Sequence, residues 1–82
     1  MIKVYEFSGS WCQPCRTAKP IWEKFKALHP ECDFEDVDVD MYPKKAKQYG
    51  VMSIPNFVSE NSDGIMKRYV GLPTLDSLEG LL

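Results

Sequence analysis

The stretch Trp11-Cys12-Gln13-Pro14-Cys15 decides how this chain folds and reacts. It lies where a short apolar run, residues 2–7, gives way to a helical pattern. The spacing of the two thiols allows their sulfur atoms to close a small disulfide ring or to open it again. We predict that Cys12 lies at a helix N-terminus, where backbone N–H groups and the helix dipole favour the thiolate over the thiol. The pattern therefore indicates a reactive dithiol.

Hydrophobic periodicity predicts the elements on either side of the cysteines. The β-branched and aromatic residues of the run 2–7 favour a buried strand. Apolar residues then recur at helical spacing; they are Ala18, Ile21, Trp22, Phe25 and Leu28. Pro14 suits the first helical turn, whereas Pro20 lies inside the helix and is expected to kink it. His29-Pro30 is expected to end the helix.

The rest of the chain predicts a second strand, a short helix, a hairpin and a last helix. In chain order these are a strand at 33–40, a helix that begins at Pro43 and ends just before Gly50, strands at 55–59 and 65–70, and a helix at 74–82 that Thr74 can cap. The order β-α-β-α-β-β-α predicts an α/β fold. Its four-stranded mixed sheet would be parallel in the first half, antiparallel in the second, and flanked by helices.

Length and composition restrict the class of protein. The 82 residues predict a single domain, 1–82, and the 44% of apolar residues allow one small core. A net charge of −2 with interspersed lysines and acids predicts no phosphate-binding surface, so nucleic acid is not an expected partner. No segment approaches the ~18 apolar residues of a membrane span, and the start of the chain does not resemble a signal peptide. Because three cysteines argue against a stapled secreted framework, we expect a reducing cytoplasm as the setting. We also expect a monomer.

The two cysteines are predicted to have separate roles in the reaction. Cys12 is the predicted nucleophile, since thiols at this position have pKa values of roughly 7 or below instead of about 8.5. Cys15, one turn inside the helix and more buried, is the predicted resolving thiol that attacks the mixed disulfide. Glu6 lies on the opposite strand face from Tyr5 and Phe7, beneath the helix start. It is either a buried carboxyl with a raised pKa that takes the proton of Cys15, or an ordinary solvated acid.

Several of these features together resemble the thioredoxin family. They are Trp-Cys-x-Pro-Cys after an apolar strand, Pro20 five residues past the second cysteine, Ile54-Pro55 at the head of a strand, and Val70-Gly71 at a strand end. The resemblance covers nearly the whole chain and implies a minimal thioredoxin fold, similar in size to glutaredoxins and to small phage-encoded thioredoxins. It implies a protein-disulfide reductase that a flavoprotein reductase would reload. No bound cofactor is needed, because the dithiol itself holds the electrons.

The resemblance also implies a substrate-binding surface around the dithiol. Ile54-Pro55 would be a cis peptide whose backbone hydrogen-bonds an incoming disulfide-containing protein. The residues of this surface would be Trp11, Gln13, Pro14, Ile54, Pro55 and Gly71. The chain departs from the family pattern near Glu6, because Asp36 takes the place of a common lysine. That change is expected to raise the pKa of Glu6 further.

Two other functions compete for the same residues. Cys12, Cys15, His29 and Cys32 have the spacing of a zinc site. If residues 15–28 are helical, however, the two pairs lie ~20 Å apart, too far for one ion, so we expect no metal. The second alternative is a thioredoxin-fold adaptor that binds a partner without redox chemistry, but an adaptor needs neither cysteine.

Overall fold

The computed structural model describes all residues, 1–82, in seven elements. They are β1 (Lys3–Ser8), α1 (Gln13–Leu28), β2 (Asp33–Asp38), α2 (Pro43–Gln48), β3 (Asn56–Glu60), β4 (Met66–Val70) and α3 (Leu75–Glu79). The strands form one sheet in the order β2-β1-β3-β4, with β1 and β2 parallel and the other two pairs antiparallel. The predicted element order and the four-stranded mixed sheet are confirmed.

Alternation along β1 divides the core into two halves, because successive side chains of a strand point to opposite faces. Val4 packs on one face with the buried side of α1 and with α3, in a cluster that includes Trp22, Phe57 and Leu78. On the other face, beneath α2, a second cluster consists of Tyr5, Phe7, Val37, Ala46 and Val58. Each large apolar side chain buried in this way contributes roughly 1.5–3 kcal/mol to stability.

Helix α1 positions the dithiol at one end and His29 at the other. It begins after the N-cap residue Cys12, continues through Pro20 and ends at the C-cap residue His29. The prediction that Leu28 belongs to the buried face is wrong, since Leu28 is 54% exposed. At about 100° per residue, His29 continues the row of Ala18 and Phe25 while Leu28 turns away from it. His29 accordingly packs on Phe25, with ring centroids 4.9 Å apart.

The second half of the chain is built on a turn and a helix cap that the sequence predicts. Asn61 Oδ1 accepts hydrogen bonds from the backbone of Asp63 (2.9 Å) and Ile65 (3.0 Å), which closes the β3–β4 hairpin. Thr74 and Ser77 cap α3 reciprocally. Helix α3 ends at Glu79, before Gly80 and three residues short of the predicted end. No helix combines the length and the apolar character that a membrane-spanning helix requires.

Candidate active site

The two cysteines of the motif are joined in a disulfide at the N-terminus of α1, with their Cα atoms 5.2 Å apart. Cys12 has extended backbone angles and is the N-cap residue. Its Sγ accepts a hydrogen bond of 3.2 Å from the backbone N–H of Cys15. Pro14 lies in the first turn, where the missing N–H is not needed. The same N–H group and the helix dipole would stabilise a thiolate on Cys12 once the disulfide opens.

Both cysteines are buried, which corrects the expectation that Cys15 is the more buried of the two. The exposed fraction is 4% for Cys12 and 6% for Cys15. Cys12 is covered because its Sγ lies 3.9 Å from the backbone oxygen of Ile54. The two thiols therefore differ in what surrounds them: Cys12 faces the loop around Ile54, whereas Cys15 lines a polar cleft.

The loop that covers Cys12 contains the predicted cis peptide bond between Ile54 and Pro55, which is confirmed. The backbone oxygen of Pro55 accepts a hydrogen bond of 2.9 Å from the N–H of Gly71. Gly71 has a φ of 99°, a conformation that glycine adopts without strain. This bond brings the end of β4 beside the loop, so that Ile54, Pro55 and Gly71 lie together as predicted.

Trp11 forms one wall of an apolar groove next to the dithiol. Its side chain is 65% exposed, and its indole Nε1–H donates a hydrogen bond of 2.7 Å to Asp40. The groove has a volume of about 360 Å³; its lining residues are Trp11, Val39, Ala46, Val51, Met52, Ser53 and Ile54. Gly9 lies beneath Trp11, where a Cβ atom would approach the indole nitrogen to 3.0 Å.

Gln13, the other predicted surface residue between the cysteines, is exposed and held in place by Arg16. Arg16 donates one hydrogen bond of 2.6 Å to the Gln13 side chain and another of 2.8 Å to the backbone oxygen of Ser10. The guanidinium group thereby connects the first turn of α1 to the loop that precedes it. Pro14, between Gln13 and Cys15, is also exposed.

Glu6 is buried at the floor of a polar cleft on the other side of the dithiol. Its exposed fraction is 5%. Burial, and next the charge of Asp36, raise the pKa of Glu6 to about 7, while Lys19 opposes the rise. The cleft has a volume of about 200 Å³; its lining residues are Glu6, Ser8, Gly9, Ser10, Cys15, Arg16, Lys19 and Asp38. The predicted burial and raised pKa are confirmed, and the proton transfer to Glu6 stays a prediction.

The residues of the zinc alternative are not brought together. His29 lies at the far end of the sixteen-residue helix α1 from the dithiol and contacts Glu79 at 2.5 Å and Glu31 at 3.2 Å. Cys32 is a free, half-buried cysteine, and burial is the main cause that raises the pKa of its thiol. The structure contains no group of three or more His, Cys, Asp or Glu side chains that could hold a metal ion.

Sequence reasoning missed Asp40 and Arg16 as parts of this site. Asp40 appears in the sequence as one of several acids in and after the second strand. Its contact with Trp11 joins residues 29 positions apart. Arg16, by contrast, is three residues from Gln13, a spacing at which helix side chains meet, so this contact had a visible signal.

An openable disulfide at a helix N-terminus, faced by a cis-proline loop on a four-stranded mixed sheet, is the architecture of thiol–disulfide oxidoreductases of the thioredoxin fold. The thioredoxin family model matches residues 2–82. The chain therefore belongs to the thioredoxin family and is a thiol–disulfide oxidoreductase.

Individual relatives agree with this assignment. The chain is 36% identical to a thioredoxin of Chlamydia trachomatis over 99% of its own length and 79% of that protein. It is 31% identical to a thioredoxin of Alicyclobacillus acidocaldarius, over 96% of its length and 76% of that protein. The oxidised form of mitochondrial thioredoxin 3 from Saccharomyces cerevisiae superposes with a TM-score of 0.87 at 30% identity, covering 98% of this chain and 76% of that one. Proteins of this family act on disulfide substrates and are reduced by thioredoxin reductase.

Proposed function

We propose that this protein reduces disulfide bonds in other proteins, with Cys12 as the attacking thiol and Cys15 as the resolving thiol. The observation that carries the assignment is the position of Cys12 at the N-cap of α1, where its Sγ accepts the Cys15 N–H at 3.2 Å. That hydrogen bond stabilises negative charge on Cys12 and not on Cys15, and the helix dipole also favours a negative charge at the N-cap. The proposed setting is the reducing cytoplasm, with the protein acting as a monomer.

The reaction balances as two consecutive thiol–disulfide exchanges. The Cys12 thiolate attacks one sulfur of the substrate disulfide, forms a mixed disulfide and releases the other substrate sulfur as a thiolate. The Cys15 thiolate then attacks Cys12 Sγ, which releases the second substrate sulfur as a thiolate and leaves the Cys12–Cys15 disulfide. Two electrons pass to the substrate, and the protein ends in the oxidised state that the structure has.

Glu6 is the proposed acceptor for the proton of Cys15 in the second step. Both side chains line the same polar cleft, so the carboxyl and the thiol share one solvent-connected space. A carboxyl whose pKa is about 7 can accept and return a proton near neutral pH, where an ordinary glutamate would stay ionised. The role thus rests on location as well as on the raised pKa.

The proposed substrate surface surrounds Cys12. We name residues 53–55 the substrate loop, since the Ile54 backbone lies over Cys12 and can pair with an extended peptide. Within the loop, Ile54 and Pro55 are the proposed contact residues; outside it they are Trp11, Gln13, Pro14 and Gly71. The apolar groove beside Trp11 can accept an apolar side chain that neighbours the substrate cysteine.

A flavoprotein of the thioredoxin reductase type is the proposed partner that reloads the dithiol. It would return two electrons to the Cys12–Cys15 disulfide and so regenerate the dithiol. The direction of the reaction depends on the reduction potential. A value near about −270 mV supports a reductase, and one near about −120 mV would reverse the proposed direction.

Three cysteine variants test the assignment. The wild-type protein should catalyse the reduction of insulin disulfides by dithiothreitol, and Cys12→Ser should abolish this activity. Cys15→Ser should instead accumulate a mixed disulfide at Cys12, detectable by mass spectrometry. Cys32→Ser is the matched control and should retain activity, because Cys32 lies beyond the far end of α1. A mixed disulfide trapped at Cys15, or insulin reduction that survives Cys12→Ser, would contradict the assigned roles.

A further inference from the structure

We propose that Arg68 is a positioning residue for the substrate loop and acts on it through Asn56. The inference rests on the proposed function for its consequence on catalysis. Arg68 lies on the outer strand β4 and contacts neither cysteine. Arg68 is not among the site residues predicted from the sequence. Its side chain is the only one in the protein that connects β4, β3 and the end of α2 by hydrogen bonds.

The guanidinium group of Arg68 uses two of its nitrogens at once. Nη1 donates a hydrogen bond of 3.0 Å to the side-chain oxygen of Asn56, the first residue of β3. Nη2 donates to the backbone oxygen of Tyr49, the C-cap residue of α2. A planar fork with five N–H donors suits two acceptors at fixed positions, and its charge also favours the carbonyl end of a helix. Arg68 therefore fixes Asn56 relative to α2.

Asn56 transmits this constraint to the substrate loop. Its side chain is buried, with only 2% of the residue exposed, and its Nδ2–H donates a hydrogen bond of 3.2 Å to the backbone oxygen of Ser53. With the amide nitrogen facing Ser53, the amide oxygen needs a donor, and Arg68 supplies it. The two partners together determine the orientation of the buried amide.

The backbone oxygen of Ser53, which Asn56 holds, lies one residue before the backbone oxygen that faces Cys12. Ser53 precedes Ile54, whose backbone oxygen lies 3.9 Å from Cys12 Sγ. The Gly71 N–H holds the loop at its other end, through the backbone oxygen of Pro55. Loss of the hydrogen bond to the Ser53 oxygen would therefore leave the Ser53 end of the loop without this restraint. The α2 end held by Arg68 leads through Gly50 to Val51, a residue of the apolar groove. Arg68 thus holds both parts of the chain that border the substrate.

The first experiment compares Arg68→Ala with Lys67→Ala, a matched control whose side chain makes no hydrogen bond or ion pair. In Arg68→Ala, KM for insulin should rise about three- to tenfold with kcat within about twofold, the range that corresponds to one lost hydrogen bond. The pH dependence of Cys12 alkylation should stay as in the wild type, because Arg68 does not contact the thiol. Arg68→Lys should restore part of the KM. Wild-type KM in a folded Arg68→Ala protein would overturn the proposal.

The second experiment needs no catalysis and so separates this proposal from the proposed function. Backbone order parameters from ¹⁵N NMR relaxation of the oxidised protein should fall at Ser53 and Ile54 in Arg68→Ala, with β1 and α1 unchanged, because Asn56 restrains the Ser53 oxygen. Asn56→Ala should lower the same order parameters, and Arg68→Ala should add nothing in that background. Full additivity of the two substitutions, or a loss of order spread evenly over the whole sheet, would show that Arg68 does not act through Asn56.

Discussion

Glu6 and Asp36 are register partners in the parallel β1–β2 pair, so their side chains leave the sheet on the same face. Asp36 is held there by a hydrogen bond of 2.7 Å from Trp22 Nε1 and by Lys26, whose Nζ lies 3.5 Å away. A buried carboxyl thus has a fixed carboxylate as its neighbour. After burial, this charge is the largest cause that raises the pKa of Glu6 to about 7.

Asp36→Asn should lower the pKa of Glu6 without returning it to the ordinary value. The substitution removes the negative charge but keeps an oxygen that can accept from Trp22, and the burial of Glu6 is unchanged. The carboxyl carbon of Glu6, followed by NMR between pH 4 and 9, gives the pKa directly. Asp33→Asn removes the same charge from the opposite face of β2 and should leave this titration unaltered.

Glu6→Gln should change the pH dependence of stability in the oxidised protein. The pKa of Glu6 is about 7 in the folded state and 4.5 as an ordinary side chain. The unfolded chain therefore loses this proton at lower pH than the folded one, and the wild type loses stability between about pH 4.5 and 7. The loss is on the order of 3 kcal/mol and is constant above that window.

The measurement is the free energy of unfolding from urea titrations at pH 4.5 and pH 8. The difference between Glu6→Gln and wild type should grow in favour of the variant as the pH rises, because glutamine stays neutral throughout. Lys67→Ala should follow the wild-type profile. A wild-type curve parallel to that of Glu6→Gln over this range would show that Glu6 titrates like an exposed acid.

His29 should titrate above its ordinary pKa and connect α1 to α3. Its hydrogen bond to Glu79 is the largest cause that raises its pKa, and Glu31 adds to the rise. Because the folded-state pKa is raised, the stabilising contribution is complete below about pH 6.5 and disappears as the pH rises through the folded pKa. His29 is the only histidine, so its ring protons give one unambiguous NMR titration.

Substitution of the two acids separates their contributions to that titration. Glu79→Gln should lower the pKa of His29 and reduce stability at pH 5.5 but not at pH 9. Glu31→Gln should act in the same direction and less strongly, since its contact is longer, at 3.2 Å against 2.5 Å. An unchanged His29 titration in Glu79→Gln would mean that the two helices are not joined through this pair in solution.

The sequence predicts the parts of the site that depend on local pattern. The position of Cys12 before a helix and the burial of Glu6 are confirmed. The cis bond before Pro55, also confirmed, was implied by the resemblance to thioredoxins and not by local pattern. The position of Glu6 could be predicted because strand alternation places it on the opposite face from Tyr5 and Phe7. Leu28 shows the limit of hydrophobic periodicity as a predictor. Positions chosen at intervals of three and four residues move away from the buried face of the helix within three turns, because one turn has about 3.6 residues.

Sequence patterns do not predict the side-chain contacts that hold the site together. Trp11 meets Asp40 across 29 positions, and Arg68 meets Asn56 across 12. Each pair depends on how strands and loops lie in three dimensions, and the sequence alone shows these residues only as an acid after a strand and a cation on an edge strand. Side-chain hydrogen bonds between elements need the sheet register and the loop path, which periodicity does not supply.

Asp40→Ala should weaken substrate binding by releasing Trp11 from its position at the groove. The indole donates its hydrogen bond of 2.7 Å to Asp40 and is otherwise 65% exposed, so little else restrains the ring. KM for insulin should rise about two- to tenfold with kcat nearly unchanged, since one exposed hydrogen bond to a charged acceptor is lost. Asp40→Asn keeps an acceptor oxygen and should restore most of the binding.

Asp63→Ala, which removes the same charge from the β3–β4 turn, should leave KM as in the wild type. Equal KM values for Asp40→Ala and wild type would show that the orientation of Trp11 does not limit substrate binding.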